Sequence, residues 1–343
     1  LTELGDLAGA DLSDLDPHRP YVDDIVLTCA QCGQESRRVP EVVDVWFDSG
    51  AMPFAQWGAP HQNLAEFEAA HPAQFICEAI DQTRGWFYSL MAIGALLHGR
   101  SPYENVVCLG LILDGEGRKM SKHLGNVLDP FTLFDAHGAD AVRWLMLAGG
   151  SPWADRRLGV EAVEEAVRKV LLTYRNTASF FAVYAHANGW SYDPAAVPSL
   201  ADRPVIDRWI VSELHATVAA VDAALEDFDS AGAARQITAL LDSLSNWYVR
   251  RSRRRFWAGD PAAFATLHEC LQTLTRLLAP FTPFLTDYLW GRLFATDEVD
   301  SVHLAQWPVA DAAVIDERLR EQMRLVQRAV EVGRATRAAA KVR

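Results

Sequence analysis

The sequence predicts an α/β domain followed by an all-α bundle. Three observations predict it. Between residues 41 and 150, short apolar runs alternate with stretches of helical character. From about Glu161 onward, apolar residues recur at the 3.6-residue spacing of helices. The length, 343 residues, suits about two domains at roughly 100–200 residues each.

The elements follow in order. Residues 1–40 are rich in Asp, Pro and Gly, as expected of loops and short strands, and carry Cys29-Ala30-Gln31-Cys32-Gly33. The runs 41–47, 74–77 and 105–113 read as strands, separated by helices at 85–97, 131–134 and 139–147. Long helices are expected at 161–187, 204–225, 230–257, 262–278 and 282–294. Val205, Trp209, Leu214, Val218, Val221 and Leu225 share one stripe, and Leu240, Leu241, Leu244 and Trp247 another. Asp207, Asp229 or Ser230, and Pro261 read as helix entries, with Gly189 and Gly259 as stops. Residues 311–343 form one more amphipathic, Arg-rich helix. The domain limits expected are 1–40, 41–150, 151–310 and 311–343.

Composition narrows the class. With 50% hydrophobic, 22% charged and 10% aromatic residues, the chain is neither disordered nor collagenous, and five Cys do not make a disulfide framework. An odd count with one close pair fits reduced thiols in the cytoplasm. No apolar stretch approaches the roughly 18 residues of a membrane span, so no membrane partner is expected. The net charge of −13 at first argues against a phosphate-rich partner. Its distribution reverses that argument. Residues 1–150 hold 9 basic and 21 acidic side chains, residues 151–200 hold 5 and 5, and residues 201–343 hold 18 and 19. The later half is neutral on average and can carry a basic face. Of the 32 basic residues, 28 are Arg, the better fork for phosphate.

The sharpest motif is Asp114-Gly115-Glu116-Gly117-Arg118-Lys119-Met120-Ser121-Lys122-His123-Leu124-Gly125-Asn126, directly after the apolar run 106–113. A glycine-flanked loop at a strand's carboxyl end is where open α/β sheets bind ligands. Two lysines three apart can close over a polyphosphate and stabilise charge on a leaving group. A second candidate is Trp247 with Arg250, Arg251, Arg254 and Arg255. Trp247, Arg250 and Arg254 fall on one helical face, and Arg251 and Arg255 on a neighbouring row. Such a helix either contacts phosphates and stacks on a base, or pairs its arginines with nearby acids. Cys29 and Cys32 supply two of the four ligands a zinc site needs. Either two more lie elsewhere, or the pair is a plain turn. Cys77 and Cys108, inside apolar runs, read as core residues.

Lys119-Met120-Ser121-Lys122 after a Gly-rich turn resembles the signature loop of the class I aminoacyl-tRNA synthetases. Two further strings resemble the isoleucyl-tRNA synthetase family within that class: Asp44-Val45-Trp46-Phe47-Asp48-Ser49-Gly50-Ala51-Met52-Pro53 and Glu78-Ala79-Ile80-Asp81-Gln82-Thr83-Arg84-Gly85-Trp86-Phe87. The 246–257 helix is similar to the family's anticodon-binding region. The resemblance runs from about residue 20 to about 310. It implies a partial Rossmann-type catalytic domain and a helical anticodon-binding bundle, in a monomeric cytoplasmic protein. It implies ATP-dependent activation of isoleucine to isoleucyl-adenylate and transfer to tRNA(Ile), with Mg2+ accompanying ATP.

Roles are then implied residue by residue. Trp46 and Trp86 would line the isoleucine pocket. Glu78, Asp81 and Gln82 would contact the adenylate, and Gly110 and Leu111 would face adenine. Met120, Ser121 and both lysines would embrace ATP, with Lys119 and Lys122 stabilising the departing pyrophosphate. Alternatives for these residues are core packing for the tryptophans and a helix N-cap for Asp81. His123 stands where the family commonly has Ser. The family's His-x-Gly-His element is absent from the sequence. It is expected upstream of Leu1, in a longer parent, and the 343-residue chain alone is expected to be inactive. The alternatives are a valyl-tRNA synthetase, against which the 82–86 string argues, and a non-catalytic tRNA-binding module.

Overall fold

The structure, a computed structural model, describes residues 5–342 other than Leu7 and Val43; the side chain of Lys122 also lies outside the described residues. Its contacts divide the chain into two compact units, Leu1–Ile76 with Asp81–Val106, and Cys77–Ile80 with Val107–Arg343.

The first unit opens with an antiparallel hairpin, β1 (Val26–Thr28) against β2 (Glu35–Arg37), with Val26 opposite Arg37 and Thr28 opposite Glu35. Helices α1 (Val45–Ala55) and α2 (Leu64–Ala70) follow, then β3 (Ala73–Ala79), α3 (Trp86–His98) and β4 (Tyr103–Leu109), with β3 and β4 neighbours in a two-stranded sheet. The strand expected at 41–47 is not formed. Asp44 accepts from the Trp46 backbone N–H and caps α1 instead. An N-cap of this kind is worth about 1 kcal/mol, enough to override the β propensity of a short Val-rich run. Gly50 lets α1 approach α3 closely, because a Cβ there would meet Ser89 and Ile93 within 3 Å.

The second unit continues with β5 (Ile112–Leu113), α4 (Pro130–His137), α5 (Ala139–Ala148) and β6 (Arg156–Arg157), which runs parallel to β5. Then α6 (Val160–Ala166) passes through a π-helical turn into α7 (Leu172–Ala187). Four bundle helices follow: α8 (Val205–Glu226), α9 (Ser230–Asp242), leading through a second π turn to α10 (Arg250–Trp257), and α11 (Pro261–Leu278). Helices α12 (Pro283–Leu293) and α13 (Glu317–Ala339) complete it. The expected helices are present, and their stops are Gly189 and Gly259 at φ +61° and +75°, where a residue with Cβ is strained.

Caps account for the entries. Asp229 accepts from Gly232, and Asp260 accepts from Ala262 and precedes Pro261. Asp140 of α5 accepts from the Phe284 and Leu285 backbone N–H groups and so caps α12 across the fold. Asp207 lies in the first turn of α8, as an acidic entry residue should, and is fully buried there. The core stripe is as expected except at Val205, which is exposed at the helix start. Trp209, Tyr174, Tyr248, Phe256, Phe264 and Phe281 are each 2% exposed or less. At about 1.5–3 kcal/mol per buried large side chain, this cluster is the main source of the bundle's stability. Cys77 and Cys108 are half-buried rather than core, and all five cysteines are free. No helix among the described residues is long and apolar enough to cross a membrane.

Candidate active site and nucleic-acid interface

The chain between β3 and α3 makes a tight turn of helix over Ile80–Arg84. Gln82 is its organiser. Its Oε1 accepts from the Trp86 backbone N–H at 2.9 Å and caps α3, while its Nε2 donates to Asp81 at 3.1 Å. The capping role considered for Asp81 therefore belongs to Gln82, and the Asp81 carboxylate stays exposed. Gly85 is buried between them: a Cβ would stand 2.8 Å from Gln82 Oε1 and 3.3 Å from Trp46 Cζ2. Trp46, Gln82 and Trp86 are thus gathered around one glycine. Trp46 is 43% exposed, so core packing does not explain it. Trp86 is half-buried and donates from Nε1 to the Ser49 carbonyl at 3.4 Å.

Cys29 and Cys32 sit in the β1–β2 hairpin, closed by Cys29 N–H to the Gln34 carbonyl and Gly33 N–H to the Cys29 carbonyl, both 2.8 Å. Backbone N–H groups of Cys32 and Gln31 hold the Cys29 thiol below its usual range. No third His, Cys, Asp or Glu joins the pair to form a metal-holding group among the described residues, so the residues described do not fit a complete zinc site.

In the second unit, Glu78 is exposed on β3. Gly110 is glycine because a Cβ would lie 2.3 Å from the Ala154 carbonyl group. Beyond it, the Leu111 N–H donates to Asp155 at 2.8 Å, fixing the chain as it enters the signature loop. That loop is built around a carboxylate that sequence reasoning passed over. Asp114, 6% exposed, accepts from the backbone of Glu116 and Arg118, from Arg118 Nε, and from Asn126 Nδ2, all at 2.8–3.0 Å. These donors, Asn126 first, hold its carboxyl far below the usual carboxylate range. Asn126 also accepts from the Ser121 N–H at 2.9 Å and reaches the Lys119 carbonyl at 3.3 Å. The signal was present as Asp-Gly at the start of the string and Asn at its end. Met120 packs inward against the cluster of Leu133, Val142 and Val163, whereas Lys119 is exposed. Lys122 begins a short helical turn, Lys122–Leu124, whose first N–H-to-Ser121 bonds come from Leu124.

The basic helix sorts its arginines sharply. Arg255 does not face solvent as the sequence reading allowed. It forms a two-pronged pair with Asp207 at 2.5 and 2.8 Å and contacts Asp260 through Nε at 2.7 Å. Asp207 is completely buried and also accepts from Tyr248 at 3.1 Å. A buried carboxylate demands such a partner, so Arg255 is structural. Its pairing holds the guanidinium charged. Arg250, Arg251 and Arg254 are exposed. Arg251, not Arg250, lies over Trp247, 4.3 Å from the ring centroid, as the four-residue spacing places it.

The family model described as tRNA synthetases class I (I, L, M and V) matches residues 12–158, and the anticodon-binding domain of tRNA ligase matches residues 207–343. The isoleucine–tRNA ligase of Thermobifida fusca is 63% identical over 98% of the chain. Over these stretches the chain matches the class I tRNA synthetase family and its anticodon-binding domain, and along nearly its whole length it is similar to isoleucine–tRNA ligases. Further isoleucine–tRNA ligases of this synthetase family, from Streptomyces coelicolor and Deinococcus radiodurans, are 59% and 50% identical over 98% and 99% of it. The chain spans about a third of the length of these curated relatives, between 32% and 33%. Among solved structures, a LeuRS–tRNA–LeuAMS ternary complex from Agrobacterium radiobacter superposes with TM-score 0.70 at 23% identity, over 85% of this chain and 36% of that one. Mycobacterium tuberculosis methionyl-tRNA synthetase with methionyl-adenylate gives 0.66 at 19%, over 83% and 57%. At these identities the two likenesses show a shared fold.

Proposed function

We propose that the chain forms part of an isoleucine–tRNA ligase, which activates isoleucine with ATP and transfers it to tRNA(Ile). The observation that carries this reading is the 114–126 loop, fixed at its base by Asp114 and Asn126 with Lys119 left exposed. Lys119 and Lys122 stabilise the pyrophosphate as it departs, and the backbone of Met120 and Ser121 lies against ATP, which arrives with its Mg2+. Gly110 and Leu111 face adenine. Glu78, Asp81 and Gln82 hold the adenylate, and Trp46 and Trp86 flank the branched side chain. Arg250, Arg251, Arg254 and Trp247 meet the anticodon stem-loop, with Arg255 holding their helix in place. The protein is cytoplasmic and monomeric on this reading, and the expected domain limits near residues 40, 150 and 310 are retained with it.

In the complete enzyme, Lys119→Ala and Lys122→Ala should each lower isoleucine-dependent ATP–pyrophosphate exchange by about a hundredfold, with melting temperature unchanged. Faster exchange with valine than with isoleucine would move the assignment to the valyl enzymes. The 343-residue chain, which has no His-x-Gly-His element, should bind tRNA without catalysing exchange. For Cys29 and Cys32, zinc retained by the purified chain through dialysis against a chelator would add the metal; its loss would leave a plain hairpin turn.

A further inference from the structure

The strands that carry the signature loop sort their arginines as the basic helix does. Arg118 is taken by Asp114 at 2.9 Å and by Glu116 at 2.6 Å. Arg156 turns to the Gly150 carbonyl, to which its Nη2 donates at 3.0 Å. Arg157, the next residue of β6, is exposed and pairs with no acidic side chain among the described residues. Strand pairing sets where it points. Leu113 is the register partner of Arg157 across the parallel β5–β6 pair, and of Lys119 across the antiparallel bridge that closes the loop. Residues opposite one another in neighbouring strands project on the same face, so Arg157 and Lys119 flank Leu113 on one side. With strands about 4.8 Å apart, the two backbones stand about 10 Å from each other, within the combined reach of the two side chains. Alternation agrees: the residue after each, Leu158 and Met120, packs in the cluster of Leu133 and Val163 on the other side.

The loop leaves room for this side chain. Gly117 sits at φ +82°, and a Cβ there would stand 3.1–3.2 Å from Arg157 Nε, Cζ and Nη2. The guanidinium therefore lies against the turn of the loop, and a side chain at position 117 would displace it. A guanidinium with no acid to neutralise it, on one face with an exposed lysine, suits an anion that offers several oxygens across that span. We propose that Arg157 is a further phosphate-binding residue, which shares the polyphosphate of ATP with Lys119; this role rests on the synthetase reading of the loop. In that reaction the isoleucine carboxylate oxygen bonds to the α-phosphorus, and the bond from that phosphorus to the α–β bridging oxygen breaks. Pyrophosphate leaves with the electron pair, and Arg157 donates hydrogen bonds to its oxygens as the charge grows. Unlike Lys119, Arg157 is supplied by a strand outside the signature string.

The test is isoleucine-dependent ATP–pyrophosphate exchange by the complete enzyme, with KM read separately for ATP, pyrophosphate and isoleucine. Arg157→Met keeps an unbranched side chain beside Gly117 and removes the charge. It should raise KM for ATP and for pyrophosphate by about tenfold or more, the scale of one hydrogen bond to a charged group. KM for isoleucine should not change. Arg157→Lys should recover part of the loss, as a point charge in place of a fork. Melting temperatures should agree within about 2 °C, since the side chain is exposed. Arg157→Gln, polar and neutral, should lose as much as Arg157→Met and provides a second arm if the latter does not fold. Unchanged KM for ATP and pyrophosphate in the neutral variants, or no recovery in Arg157→Lys, would overturn the proposal. So would equal rises in KM for ATP and isoleucine, the mark of a misplaced loop. Exchange with valine in place of isoleucine would overturn the isoleucine assignment alone, and the same KM comparison would then be made with valine. No exchange by the unaltered enzyme with any amino acid would overturn both.

Discussion

The signature loop at 114–126 and the basic helix α10 both display cations, and both rest on a buried aspartate, yet they use it in opposite ways. In the loop, Asp114 is occupied by backbone N–H groups, Asn126 and Arg118, and Lys119 stays outside. In the helix, Asp207 takes Arg255 itself. The position of the carboxylate therefore decides which cations are structural and which stay exposed. Counting basic residues in a sequence does not make that distinction.

The largest expected effect is at Arg255. Arg255→Ala leaves the Asp207 carboxylate buried without its charge partner, and urea unfolding should show a loss of about 3–5 kcal/mol. A loss below about 1 kcal/mol would mean that solvent reaches Asp207 and that the contrast with the loop is false.

Acid should separate the two regions next. His268, stacked on Tyr192 at 4.3 Å in the bundle, has its pKa lowered to about 4 by burial. Its folded pKa lies below its unfolded one, so its contribution is complete above about pH 6.5 and is lost as pH falls from there toward 4. Shifts of this size amount to about 3 kcal/mol, at 1.36 kcal/mol per unit. Asp114 is also lowered, so its contribution is whole above the ordinary carboxylate range and is lost as pH falls through that range toward its lower folded value. Between pH 6 and 4.5 the bundle should weaken while amide protection at Arg118 and Ser121 changes little. His268→Phe should flatten the bundle's slope.

A smaller effect is expected at Asn126. Asn126→Ala removes the clamp between Asp114, Ser121 and Lys119, with a net cost of about 1 kcal/mol confined to the loop. Exchange of the Ser121 amide should quicken, and ATP–pyrophosphate exchange by the complete enzyme should fall about tenfold. The bundle's unfolding midpoint should not move.

These contrasts also mark how far the sequence could be read. The helical stripe from Trp209 to Val221, the Gly259 stop and the loop following β5 were legible, because periodicity and turn chemistry are local. The strand expected at 41–47 failed because one capping side chain, Asp44, outweighed a short β-prone run. Arg255 was misjudged because its partner, Asp207, lies 48 residues away, and helical spacing carries no record of long-range pairing. Asp114 and Asn126 were in view within the motif string. Their roles were not, since a carboxylate that organises a loop is indistinguishable in sequence from one on the surface. The hairpin cysteines were legible as a pair and nothing more.

The most direct test of the central claim measures stability and tRNA affinity on two variants of the same helix. Arg250→Ala with Arg254→Ala should leave the unfolding free energy within about 0.5 kcal/mol, as for exposed side chains. The same pair should weaken tRNA binding by about tenfold or more and lower its salt dependence by about two phosphate contacts. Arg255→Met should destabilise the fold and, at a temperature where it remains folded, bind tRNA with a salt dependence equal to that of the unaltered chain. A salt slope reduced by Arg255→Met and unchanged by the Arg250 and Arg254 pair would contradict the account.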